Sequence, residues 1–410
     1  MIRTKFNIFI FLYLSFNSCI VAADDDSEQY VEYEVVYDIP SKESSLKGFG
    51  NINSTNSEIL SYGYQQFEAI NGMIYSSKTN KIQPPIWFNW LTVDAYRQKG
   101  DNQVVEYNKV VKRCDVVGKR ILVDTTVPSY NIEYLKDSSG NKIHYETVIS
   151  PRVVDYLNSN PTHPLSFPKG DQNNFGSMVI KLAWKELTSS DISSDYYNVE
   201  AVTLKSDGNG CRTLKVGLIS MHMIYKTVKQ PNWVWSTFVH RLNAPTESNI
   251  NKEKYWTLYD KSSSAKINEF DRKGGNSRII DTYVPWFDSL YGDYLTNSPE
   301  SVYENYQYVL RNMEGTSSLK SQMSHWMNYI QVGTQWALDV EGEKLTTKQQ
   351  KFCRYLNAGD SNLCIMPSYL SNTAIEPYEQ HESCMSCHNG GKKNKTEDFL
   401  FFPKQLHKER

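Results

Sequence analysis

The sequence predicts an α+β protein: a central, mostly antiparallel β region, then helices, then a cysteine-bearing C-terminal segment. Three observations predict it. Period-two alternation runs through the middle of the chain, as in 177–187, where Met178, Ile180, Leu182 and Trp184 share one face. Past residue 300 the apolar spacing turns helical, with Val302, Tyr306, Val309 and Leu310, then Leu319, Met323, Trp326, Met327 and Ile330. The tail then carries Cys384 and Cys387 around two intervening residues.

The elements follow in order. Residues 24–84 read as a partly disordered lead-in, acidic at Asp24-Asp25-Asp26, then rich in Ser and Asn, with one strand within 30–37. The β-rich domain spans 85–300. Pro84-Pro85 precedes the aromatic run Ile86-Trp87-Phe88-Asn89-Trp90-Leu91, which opens a helix, and 119–126 is a strand. Asp137-Ser138-Ser139-Gly140-Asn141 is a turn signal between Tyr134 and the alternating 143–148, the pattern of a hairpin. Residues 158–174 hold Pro161, Pro164 and Pro168 without periodicity and read as a loop. Strands are expected at 198–204 and 214–226, the second apolar on both faces and so covered on both. Residues 301–410 form the helical region and the tail.

The chain has 410 residues, 40% hydrophobic and 13% aromatic, enough to build a sizeable core. Lys and Arg total 44 against 46 Asp and Glu, a net charge of −2, which leaves no electrostatic footprint for nucleic acid. Residues 1–23 read as a secretory signal peptide: Arg3 and Lys5 lead, 6–20 is mostly apolar, and Val21-Ala22-Ala23 supplies small residues for cleavage near Ala23. Periplasmic export is expected. Lipidation at Cys19 is the weaker reading, because Phe16-Asn17-Ser18 matches the usual apolar-small-small pattern poorly. No other stretch approaches the roughly 18–20 apolar residues that a membrane-spanning helix needs.

The chemistry sits in Cys384-Met385-Ser386-Cys387-His388. C-x-x-C-H is the attachment signature of c-type haem: two thiols spaced for the two vinyl groups, and a histidine held beneath the iron as an axial ligand. From this composition about 0.002 chance matches are expected. Competing readings are a structural disulfide, a redox-active C-x-x-C and a zinc site, the last without a second ligand pair in the sequence. Of seven cysteines, Cys19 leaves with the signal peptide, which leaves Cys114, Cys211, Cys353 and Cys364 beyond the motif. Four cysteines allow three connectivities. Cys353–Cys364 closes a short loop and is the favoured local bridge, with Cys114–Cys211 following by elimination.

Candidates for a sixth iron ligand are Met366, Met323, Met327, His325, His222 and His240, while His381 stands awkwardly close before the motif. His222 and His240, in strand-like apolar runs, also fit as satisfied core histidines. An open sixth position is the remaining option. No G-x-S-x-G, Walker A or H-E-x-x-H pattern is present.

Several stretches resemble one family, an uncharacterised group of exported bacterial proteins described as cytochrome c family proteins. They are Ile86-Trp87 with its aromatic run, 137–146, 177–184, 217–222, 233–240, 332–336, and Asn372-Thr373 with Glu376, Tyr378, Gln380 and 383–388. The resemblance covers 85–400 and implies one covalent haem at Cys384 and Cys387 with His388 axial. It draws attention to His222 and His240, but Val239 stands where the family carries an acidic residue, which weakens an acid/base role at His240. The leading expectation is an exported electron-transfer cytochrome working with a redox partner. The alternatives are a haem-dependent oxidoreductase acting on a small substrate or peroxide, and a binding or structural protein whose C-x-x-C is only a disulfide. The long β-rich region exceeds what a simple haem carrier needs.

Overall fold

The computed structural model describes residues 84–98, 105–123, 135–161, 165–170, 176–205, 210–227, 232–245, 255–264, 324–339, 353–358, 361–368, 372–379 and 382–389, with single residues or pairs elsewhere. The signal segment 1–23 with Cys19 and Ala23, the periodic run 302–310, Leu319, Met323 and His381 lie outside the described residues.

The described residues form two sheets. A small one joins β1 (Tyr30–Val31), β2 (Tyr75–Ser76) and β3 (Lys81–Ile82). The other has ten strands: β4 (Leu91–Thr92), β5 (Arg120–Ile121), β6 (His144–Ile149), β7 (Met178–Glu186), β8 (Asn198–Leu204), β9 (Cys211–Tyr225), β10 (Val234–His240), β11 (Tyr329–Asp339), β12 (Arg354–Ala358) and β13 (Ser361–Met366). Its main path runs β12-β13-β11-β10-β9-β7-β6-β4. All its pairings are antiparallel except β5 against β8. The 15-residue β9 is the axis. One of its edges pairs with β7; the other carries β8 and then β10, end to end.

This corrects the α+β expectation. The described residues form mostly one large antiparallel sheet, with four α-helices: α1 (Val93–Gln98), α2 (Val105–Arg113), α3 (Pro151–Ser159) and α4 (Cys384–Asn389). The expected helices after residue 300 are not what their described part forms. Trp326 and Met327 sit in a single 3-10 turn, Ser324–Asn328, and Ile330 already belongs to β11. The spacing that imitated a helix straddles the junction of turn and strand. Beyond it, Thr334 and Trp336 suit a pleated surface and pair with β10 and β13. Other boundaries shift less. The aromatic run begins with a 3-10 turn, Ile86–Asn89, and α3 extends into the expected loop as far as Ser159. Among the described residues the turn at Asp137 closes on a Lys136–Lys142 bridge, Tyr134 of the expected hairpin lies outside them, and β6 pairs with β4 and β7.

Alternation sorts the central side chains onto two faces. The back face gathers Met178, Ile180, Leu182 and Trp184 of β7 with Met221, Met223, Phe238 and Trp336 in one apolar cluster. The front face holds two apolar clusters. Val179, Ile224, Trp235, Ala337 and Ile365 form one with α3 and Met385 of α4; Tyr145, Ala183 and Ile219 form the other with Ala374 and Ile375. Between them a polar belt crosses four strands, because the register aligns Thr147 with Lys181, Lys181 with His222, and His222 with Thr237.

Candidate functional site

Helix α4 carries the cysteine motif and is capped on purpose-suited chemistry. Ser383 stands at its N-cap, where its Oγ accepts the Ser386 N–H at 3.1 Å. The same hydroxyl donates to Gln335 Oε1 at 3.0 Å, and the Met385 N–H donates to that oxygen, also at 3.0 Å. Gln335 Nε2 in turn donates to the Pro367 carbonyl at 2.7 Å. Gln335 on β11 is fully buried, so one amide ties the helix start to the sheet and to the segment after β13. Met385 plugs into the front apolar cluster.

Helical spacing then puts Cys384, Cys387 and His388, at i, i+3 and i+4, on one side of the turn. Both cysteines are free thiols, Cys384 half-buried and Cys387 exposed. The other four pair as Cys114–Cys211 and Cys353–Cys364, the connectivity expected from the spacing. Burial pushes both motif thiols above their ordinary value, and the Glu376 carboxylate pushes them further. A redox-active C-x-x-C needs a depressed thiol, the opposite of this environment. Among the described residues no three His, Cys, Asp or Glu side chains form a metal-holding group, so the zinc reading gains nothing. The His388 ring packs on the indole of Trp235 with centroids 4.6 Å apart.

The polar belt lies beside this helix. His222 Nε2 is 2.6 Å from Glu376 Oε2, and Lys181 Nζ is 3.2 Å from Glu376 Oε1. Burial alone would raise the Glu376 carboxyl, but its interactions with His222 and Lys181 hold it down at about 2. Asn372 sets the carboxylate in place. Its Nδ2 donates to Ser220 Oγ at 2.7 Å and to Thr237 Oγ1 at 2.6 Å, while its Oδ1 accepts the N–H groups of Ala374 and Ile375. Tyr145 adds a bond from its hydroxyl to the Ala374 carbonyl at 2.7 Å. The segment 372–376 is thereby fastened across the strands that carry Lys181 and His222. Since Glu376 and Lys181 act electrostatically on both motif thiols, belt and helix form one neighbourhood.

The other candidates go elsewhere. His240 lies on the back face, stacked on Tyr196 at 4.2 Å. Its Nδ1 accepts the Leu242 N–H and its Nε2 donates to the Asp195 carbonyl at 3.0 Å, so both ring nitrogens are spent. Burial depresses it to about 3 and keeps it neutral. Met366 and Met327 pack with the back cluster, away from α4. His325 packs against Tyr197 and Trp326, and burial lowers it to about 4.

Lys181, Glu376, Asn372 and Gln335 fall within the family-like stretches of the sequence, but sequence reasoning assigned none of them a role. One signal existed: Lys181 interrupts the apolar run 178–184, and a charge in such a place needs a partner. No protein family, curated protein or solved structure matches this chain.

Proposed function

We propose that this chain is an exported monohaem c-type cytochrome, with Cys384 and Cys387 holding the haem through thioethers and His388 as an axial ligand. The observation that carries the reading is the division of the cysteines. Four are consumed in two disulfides, and the pair left as thiols stands on one side of a single helical turn next to His388. Two orphaned polar atoms support the fit. Trp235 Nε1, beside His388, and Ser386 Oγ, inside the motif, are both buried and meet no hydrogen-bond partner among the described residues. Haem brings carboxylates that accept from such donors. When bound, it supplies a reversible one-electron iron couple.

The chain's own residues do the rest. Gln335 and Ser383 fix the helix, Trp235 backs the histidine ring, and the front apolar cluster excludes water from one side of the site. Two disulfides fit an oxidising compartment outside the cytoplasm. The periplasm is the location in which this chemistry is assembled under our reading. No helix among the described residues is long and apolar enough to cross a membrane. A redox partner protein would exchange electrons at the Cys387 side, the exposed end of the motif.

Expression in a host that attaches haem c tests the proposal. The expected result is a haem-stained band that survives a denaturing gel and is lost in the Cys384→Ala/Cys387→Ala variant. A colourless, unstained wild type refutes it.

A further inference from the structure

The polar belt is a costly feature for a sheet face. It sets a lysine, a histidine and two threonines between apolar clusters and then covers them with Asn372 and Glu376. Buried polar groups persist where they are satisfied or used. Both side-chain polar atoms of Asn372 are satisfied by the bonds above, whereas one ring nitrogen of the belt's histidine is paired among the described residues. A carboxylate can only accept, so the 2.6 Å contact with Glu376 puts a proton on His222 Nε2. In the neutral ring the lone pair is then on Nδ1, which meets no hydrogen-bond donor among the described residues. An imidazole whose far N–H is held by a carboxylate is the arrangement that orients a histidine toward a metal and raises its basicity.

Its position suits the haem site. His222 and Ile224 are successive front-face residues of β9, and Ile224 is opposite Trp235, on which His388 packs. His222 is therefore a diagonal neighbour of Trp235, about 7–8 Å away across the strand pair. The charge of Glu376 reaches both motif thiols. The two other candidates in described strands are disposed of by geometry: His240 has no free nitrogen, and Met366 belongs to the opposite face.

We infer that His222 would be the second residue to hold the iron, through its Nδ1 lone pair, with Glu376 as its positioning residue and Lys181 bonded to the other oxygen of that carboxylate. This rests on the covalent-haem reading. It goes further by making the site six-coordinate and bis-histidine, which suits electron transfer and leaves no open iron position for a substrate.

Spectroscopy of the holoprotein tests it. The ferric wild type should be low-spin, its near-infrared magnetic circular dichroism should carry the bis-histidine signature, and the ferrous form should bind carbon monoxide slowly. His222→Gly should turn high-spin, bind carbon monoxide at least tenfold faster, and return to low-spin when imidazole is added. Glu376→Gln should stay low-spin with a more positive midpoint potential, because the ring loses basicity. A haem-stained wild type that is high-spin or has a histidine–methionine signature overturns the assignment without need of any variant, as does a low-spin His222→Gly protein. A preparation with no haem-stained band overturns this inference and the covalent-haem reading together.

Discussion

His222 Nε2 and Glu376 Oε2 are 2.6 Å apart although 154 positions separate them in the chain. The contact is produced by two independent alignments. Strand register sets His222 between Lys181 and Thr237, and Asn372 clamps the following turn over that row. Neither residue would be held by its own segment alone.

Asn372 should therefore control the geometry of the pair. Asn372→Ala removes four hydrogen bonds and takes the amide partner from the buried Thr237 and Ser220 hydroxyls, of which Ser220 keeps its bond to the Phe238 carbonyl. A loss of about 2–4 kcal/mol in urea unfolding is expected. The Nε2 proton of His222, which the contact with Glu376 should make visible in the wild-type NMR spectrum, should also vanish in the variant. Retention of that proton signal at wild-type intensity would show that Glu376 needs no clamp.

His240 predicts a pH dependence of opposite origin to any site chemistry. Burial holds its folded-state value near 3, with Arg241 and Lys185 adding to the depression and Asp191 and the Asp195 carbonyl opposing it. In the unfolded chain the ring titrates near its ordinary 6.5. Between these values the unfolded state binds more protons, so stability is fully present above pH 6.5 and declines as pH falls towards 3. The slope from this one group is at most about 1.4 kcal/mol per pH unit. His240→Gln keeps a donor near Nε2 and should flatten the curve in that window, as read by urea midpoints at several pH values. An unaltered slope would exclude a neutral core imidazole.

Much of the sheet was legible because its strands are written in β-branched and aromatic residues with a period of two. β8 has the bounds that alternation predicts, and the doubly apolar β9 is buried on both faces from Val216 to Tyr225. The C-terminal part was not, for a physical reason. Trp326, Met327 and Ile330 serve a 3-10 turn and a strand start in succession, and a period of 3.6 cannot be told from that junction over so few residues. β12 is a short, polar edge strand with little apolar signal. In the site, Cys384, Cys387 and His388 were readable because their chemistry is contiguous. Glu376, Asn372 and Gln335 were not, since each acquires its role from a partner 48 or more positions away.

The disulfides should contribute unequally. Cys114–Cys211 closes a separation of 97 residues and Cys353–Cys364 one of 11. In the chain-entropy description the longer loop constrains the unfolded state more, by about 2 kcal/mol. Cys114→Ala/Cys211→Ala should lower the urea-unfolding free energy by that much more than Cys353→Ala/Cys364→Ala. Equal losses, or the reverse order, would mean that the short bridge works mainly by holding the β12–β13 hairpin against β11 in the folded sheet.

Gln335 offers the sharpest separation between a structural and a functional role for the motif helix. Its amide satisfies the Ser383 hydroxyl, the Met385 N–H and the Pro367 carbonyl, all through one fully buried side chain. Gln335→Leu conserves size but leaves all three groups without that partner, and buried orphans of this kind cost about 1–3 kcal/mol each when solvent cannot reach them. The N-cap bond from Ser386 to Ser383 remains, so the helix should loosen from the sheet before it unwinds. Hydrogen exchange at the Met385 amide should then accelerate at least tenfold, while amides in the central strands β7 and β9 keep their protection. Because Met385 and Trp235 share the front cluster, the His388 ring should lose its indole contact in the same variant, visible as the collapse of ring-current shifts on its protons. If Met385 exchange rises only in step with global unfolding, the helix is held by its apolar contacts instead, and Gln335 is a satisfied core amide without a positioning role.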